Sequence, residues 1–99
     1  MTDLLTLAVS ENADGLSLRS GRPPVIQVRG EAHSVEGPAI MPENAYLLLR
    51  DLAGSRNMRE FRERGAAAFM HNFKDWAQFQ VQAKLEHNEI QIDVQRVRL

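Results

Sequence analysis

The chain contains no cysteine. That excludes disulfides, thiolate metal sites and a cysteine nucleophile, and it is compatible with the cytoplasm. Long hydrophobic runs are missing too: no segment approaches the roughly 20 apolar residues of a membrane span. The first residues carry no basic stretch followed by a long apolar one, the pattern of a secretory signal. A cytoplasmic protein without membrane insertion is expected. Charge of one sign is also scarce. Twelve basic and thirteen acidic residues leave a formal net charge of −1, so nucleic acid is not expected as a partner, and neither is an anionic membrane. There is no internal repeat and no low-complexity tract.

Signatures of catalysis are absent in the same way. No G-x-x-x-x-G-K-[ST] loop is present to cradle phosphates. No G-x-S-x-G elbow presents a serine. The histidines His33, His71 and His87 are far apart, without H-x-x-x-H spacing. A site joining His71 to Asp75 or Glu86 has no support in the spacing. The paired carboxylates Glu60 and Glu63 fall on a helix expected to be exposed, where nothing would drive their pKa values apart. The expectation is no enzyme: no catalytic residue, no cofactor and no metal.

What is present describes a single domain over residues 1–99, with 43% hydrophobic and 25% charged residues. The densest local instruction runs from Gly21 to Gly30. Gly21 permits a positive φ, Pro23 and Pro24 hold the chain extended, Val25 to Arg29 read as a strand, and Gly30 ends it. Before this block, residues 2–12 have the spacing of an amphipathic helix, with Leu4, Leu5, Ala8 and Val9 on one face and Thr2 and Asp3 at its start. Gly15 to Arg19 alternates as a strand with Leu16 and Leu18 inward, and Glu31 to Val35 returns as the other arm of a hairpin.

Gly37-Pro38 breaks the sheet pattern, and Pro42 with Glu43 opens a helix. Ala45, Leu48, Leu49 and Leu52 give the strongest helical period in the chain, which Gly54 should terminate. Asn57 to Glu60 has the form of a capping box for a second helix, closed by Gly65. The last third reads as strands: Ala66 to Phe73, a turn at Lys74-Asp75, Trp76 to Leu85, a turn at His87-Asn88, and Ile90 towards Val97. Hairpin-linked strands with helices bunched between them predict an α+β fold: an antiparallel sheet of about five or six strands with helices packed on one face.

The motifs resemble the N-terminal PAS-like domain of the PilT-type ATPases of type IV pilus retraction and of their secretion relatives. The family pattern is roughly Ala-Ser-Asp-Leu-His-Leu, then Gly-x-Pro-Pro, then a strand ending Arg-Val-Asp-Gly. It aligns with Ala13-Asp14-Gly15-Leu16-Ser17-Leu18, Gly21-Arg22-Pro23-Pro24 and Gln27-Val28-Arg29-Gly30. The family's later Asp-Phe-Ser-Phe and Arg-Phe-Arg-Val-Asn segments align with Ala68-Phe69-Met70-His71 and Gln78-Phe79-Gln80-Val81-Gln82. Shape-setting positions match and charged ones do not. Family Asp and His are Gly15 and Ser17; Arg and Asp are Gln27 and Arg29; the strand Asp is Ala68. The two arginines and the asparagine are Gln78, Gln80 and Gln82. In the family those arginines are associated with the nucleotide pocket between domains, where guanidinium groups neutralise phosphate. Glutamine carries no charge, so that role is expected to be lost. With no P-loop, the chain is expected to be a standalone, diverged copy of the N-terminal domain rather than an ATPase on its own.

Three constellations remain. Arg56, Arg59, Arg62 and Arg64, with Glu60 and Glu63, form either a solvated face with internal ion pairs or a docking face for an acidic partner. Acidic residues and the lack of an aromatic platform disfavour nucleic acid there. Gln78, Gln80, Gln82, Gln91 and Gln95 form either the solvent side of a one-sided sheet or a protein interface, since neutral amides desolvate at less cost than charges. Trp76 is a core plug or an interface anchor, with core preferred. Combined with the resemblance, this reads as a bacterial, non-catalytic interaction or regulatory module of a type IV pilus (twitching motility) or related secretion system. It would dock to a partner ATPase or to a copy of itself through Gln78, Gln80 and Gln82, then Arg59 and Arg62. The alternatives are the N-terminal piece of a longer PilT-like ATPase, and a PAS-like small-molecule sensor.

Overall fold

The computed structural model describes residues 2–35, 39–73 and 77–97. Two helices, α1 (Thr2–Ser10) and α2 (Pro42–Arg64), accompany six strands: β1 (Gly15–Arg19), β2 (Val25–Val28), β3 (Glu31–Ser34), β4 (Ala66–Phe73), β5 (Ala77–Glu86) and β6 (Glu89–Arg96). The strands form one sheet in the order β3-β2-β1-β6-β5-β4. Every neighbouring pair is antiparallel. The sheet is thus two three-stranded meanders joined where β1 pairs with β6, and α2 carries the chain from one edge to the other. The expected α+β fold, with its antiparallel sheet and helices on one side, is what forms. The side chains of Thr2 and Asp3, the Gly37-Pro38 break, the Lys74-Asp75 turn and Trp76 lie outside the described residues.

Alternation decides which face is buried. Successive strand side chains point to opposite sides, so the register places Leu16 opposite Val94, Val94 opposite Val81, and Val81 opposite Phe69 on one face. Leu18, Ile92, Ala83 and Ala67 form the next row on that face. Leu16, Leu18, Val81, Ile92 and Val94 are all at most 2% exposed. Both helices cover this side. Leu5 and Ala8 of α1, and Ala45, Leu49, Leu52, Ala53, Met58 and Phe61 of α2, complete the core.

Local chemistry explains how the elements end. Asn12 closes α1 with φ 53. Its N–H donates to the Val9 carbonyl at 3.1 Å and that of Ala13 to the Ala8 carbonyl at 2.8 Å, the paired bonds of a Schellman cap. Gly21 uses the positive φ its sequence context implied, at 84°, and its N–H donates to the Ile40 carbonyl at 2.6 Å. The Pro23-Pro24 block is therefore tied to the segment that enters α2. At the β2–β3 turn, Arg29 and Gly30 have φ of 53 and 80, as a type I′ turn requires. The strand accordingly stops at Val28, one residue earlier than the apolar pattern suggested. His87 and Asn88, with φ of 53 and 65, serve the β5–β6 hairpin in the same way.

The α2 region differs from expectation at one point. Gly54 does interrupt the helix, with φ 73 and ψ 175, but helical structure continues on both sides of the kink. Asn57 is no cap. It lies inside the second segment, and its amide donates to the Ala53 carbonyl at 2.9 Å. A single residue of glycine-only geometry suffices to re-aim the helix, so a separate capped start is not needed. The far end closes on Gly65, at φ 73 and ψ 13, whose N–H donates to the Phe61 carbonyl at 2.8 Å.

A Cβ at Gly54 meets nothing within 4 Å, so Gly54→Ala isolates the backbone cost and should destabilise by about 1–3 kcal/mol in urea unfolding. Ile92→Ala should cost about 2–5 kcal/mol. Leu85→Ala, on the same face but 46% exposed, should cost less than about 1 kcal/mol.

Candidate functional site: the open face of the sheet

The opposite face of the sheet is uncovered by any described element. Its rows follow from the same register. Gln80 lies between Met70 of β4 and Gln95 of β6, and Gln95 is opposite Gly15 of β1, which in turn faces Gln27 of β2. In the next row Ala68, Gln82, Asp93, Ser17 and Val25 follow one another across five strands. Gln78 stands beside Asn72, and Lys84 beside Ala66 and Gln91. All five glutamines expected on one face are thus brought together. Gln78, Gln80, Gln82 and Gln95 are exposed and Gln91 is half-buried.

The glutamines of this surface are uncharged, and Asp93 on β6 sets a carboxylate between Gln82 and Ser17. The Ser17 hydroxyl donates to Asp93 Oδ1 at 3.2 Å, Lys84 pairs with Glu86 at 3.0 Å, and Arg19 is exposed beside Gln91. The glutamines therefore form an amide field with no fixed charge of its own, able to donate and accept hydrogen bonds. Small side chains on β4 set its relief. Ala66 and Ala68 stand beside the longer Gln82 and Lys84, and a hollow of about 440 Å³ opens along them, with Glu60 and Arg64 at its rim.

Arg59 and Arg62 are exposed on α2, which packs on the other side of the sheet, so they do not belong to the glutamine surface. The helix end does hold an internal ion pair, Glu60 with Arg64 at 3.9 Å, both largely exposed. The histidines are dispersed: His33 on edge strand β3, His71 on the opposite edge strand β4, and His87 in the β5–β6 turn. Among the described residues no group of three or more His, Cys, Asp or Glu side chains could hold a metal ion. No described helix is long and apolar enough to cross a membrane.

Sequence reasoning missed Ser17, Gln27, Met70 and Asp93 as members of the open face. Strand alternation contained the signal within each segment. What joins them is the β1–β6 pairing, which brings together residues 76 positions apart, such as Ser17 and Asp93, and no local period reports it.

The six-stranded antiparallel sheet with helices on one face defines an α+β domain. No family model matches the chain. In sequence it is 26% identical over 83 residues to the type IV pilus retraction ATPase PilT of Pseudomonas aeruginosa, covering 84% of this chain and 24% of that protein. Among solved structures it superposes on the pilus retraction motor PilT with bound ADP with a TM-score of 0.87 at 15% identity, over 99% of this chain and 29% of that one. It superposes on the ATPase DotB of Legionella pneumophila with a TM-score of 0.77 at 18% identity, over 95% of this chain and 28% of that one. The DotB of Yersinia pseudotuberculosis gives 0.80 at 9% identity. The chain thus spans about a quarter of the length of the proteins it matches. The resemblance read from the motifs holds: the chain is related to the small N-terminal domain of PilT, which is not the motor domain, and shares its fold with DotB.

Because Arg59 and Arg62 are solvent-exposed and outside the core, Arg59→Ala and Arg62→Ala should each change unfolding free energy by less than about 0.5 kcal/mol. Thermal and urea denaturation check this, and the variants can then be used in binding assays without a folding artefact.

Proposed function

We propose that this chain is a non-catalytic, regulatory docking module of a bacterial type IV pilus or related secretion system, acting in the cytoplasm. Its partner is a PilT-type ATPase, engaged through Gln78, Gln80 and Gln82 on the open face of the sheet. The observation that carries this reading is the uncovered, neutral field of amides on a fold shared with the N-terminal domain of such ATPases. Desolvating neutral amides costs less than desolvating the arginines of the family pattern. Side chains carried on paired strands also hold a binding surface more rigidly than loops would. Arg59 and Arg62 form a second, weaker contact for acidic groups of the same partner from the helix side.

The relation to an ATPase does not extend nucleotide chemistry to this chain. Glutamine at 78 and 80 offers hydrogen bonds but no positive charge to a phosphate.

The test is Gln78→Glu with Gln80→Glu. These positions face Asn72, Met70 and Gln95, none of them charged, whereas Glu at 82 would face Asp93. The double variant should keep the wild-type circular dichroism spectrum and unfolding midpoint. It should lose about tenfold or more of its affinity for a purified PilT-type ATPase from the same genome, since two like charges at a desolvated face cost several kcal/mol. Unchanged affinity would show the glutamine face to be merely solvated.

A further inference from the structure

The two edges of the sheet are built differently. β3 has four residues, carries Glu31 and His33, and is exposed throughout. Short, charged edges of this kind resist pairing with another strand. β4 is twice as long and contains no lysine, arginine, aspartate, glutamate or proline in Ala-Ala-Ala-Phe-Met-His-Asn-Phe. It pairs with β5 residue for residue, from Ala66↔Lys84 to Phe73↔Ala77, without a bulge. None of the usual protections of an edge is present in it.

The register identifies the backbone groups that face outward. The Val97 N–H donates to the Gln78 carbonyl at 2.8 Å. Even-numbered residues of β5 therefore turn their backbone groups to β6, and odd-numbered residues turn theirs to β4. The Leu85 N–H donating to the Gly65 carbonyl at 2.7 Å agrees. Ala67, Phe69 and His71 take the bonds to β5. Ala66, Ala68, Met70 and Asn72 point their N–H and C=O groups away from the sheet, where no hydrogen bond to a described residue meets them.

We propose that β4 is a homotypic pairing edge: two copies of the chain join β4 to β4, antiparallel, about a twofold axis at Phe69. In this register Ala66 is opposite the second copy's Asn72, and Ala68 is opposite its Met70. All four outward-facing residues then sit in hydrogen-bonded pairs. Phe69 meets its own copy in a non-hydrogen-bonded pair, where Cα atoms approach to about 4.5 Å and aromatic pairs are favourable. Met70, 49% exposed in the single chain, covers Ala68 on the open face. No like charges are brought together along the strand. A second copy is the occupant because the strand is its own complement in this register. The dimer leaves Gln78, Gln80 and Gln82 uncovered, so it does not depend on the docking role proposed for them.

Sedimentation velocity over a concentration series up to about 0.5 mM, enough to populate a weak dimer, should show the wild-type chain dimerising. Ala68→Pro should abolish the dimer with the circular dichroism spectrum unchanged, because proline is tolerated where the strand N–H faces outward. If that variant fails to fold, Met70→Lys supplies the same readout by placing a lysine on the edge. The chain's lack of cysteine allows a register test. Phe69→Cys should oxidise to a disulfide-linked dimer and His71→Cys, displaced from the axis, should not. Gln78→Glu with Gln80→Glu should leave the dimer intact. A wild-type chain that stays monomeric over the series, a dimer that survives both edge variants, or equal cross-linking through 69 and 71 would overturn the proposal.

Discussion

The structure depends on the pairing of β1 with β6. These strands belong to opposite ends of the chain, and each is the inner member of its meander. Their five-residue register sets Leu16 against Val94 and Leu18 against Ile92, side chains that are at most 2% exposed. A slip of one residue would turn one strand inside out against the other, setting Ser17 or the glutamines of β6 towards the core. The same pairing therefore fixes the core on one face and the amide field on the other. The long helix α2 packs on β4, β5 and β6, so the two meanders share one core only through the β1–β6 seam.

From that constraint the division of labour in the molecule follows. The helix-facing side is closed by aliphatic and aromatic packing and tied at its corners by left-handed residues at Asn12, Gly21, Gly54 and Gly65. The open side holds almost no apolar bulk beyond Met70 and Val25; Ser17 donates to Asp93 there and Lys84 pairs with Glu86. Positions that shape the fold have kept the character of the PilT-type pattern, while the positions changed from it cluster on the open face and the β2–β3 turn. Surface function can change in this way without cost to the core, because alternation puts the two sets of residues on opposite sides of the same strands.

Much of the fold was legible in the chain itself. The six strands, the one-sided helices, the inward Leu16 and Leu18, and the left-handed turns at Gly21 and Gly65 all follow from local periods and turn chemistry. So does the common face of Gln78, Gln80 and Gln82, which share the parity of one strand. Asn57 was misread because a polar residue three before a glutamate looks like a cap whether or not the helix has already restarted after Gly54. The wider membership of the face was not legible, since it rests on a contact between β1 and β6 that no local pattern encodes. The edge position of β4 was hidden for the same reason. The motif resemblance pointed to the right relatives, whose fold this chain shares along nearly its whole length.

The proposed protein-binding role of the glutamine face, on a fold shared with PilT, can be tested residue by residue. The most direct measurement is the ¹H–¹⁵N correlation spectrum of the ¹⁵N-labelled chain, backbone and side-chain amides together, as a PilT-type ATPase is added. The account predicts that the amide resonances of Gln78, Gln80 and Gln82 shift or broaden while the signals of β3, at the far edge, stay in place. Resonances of the glutamine face that remain unmoved at saturation would contradict it.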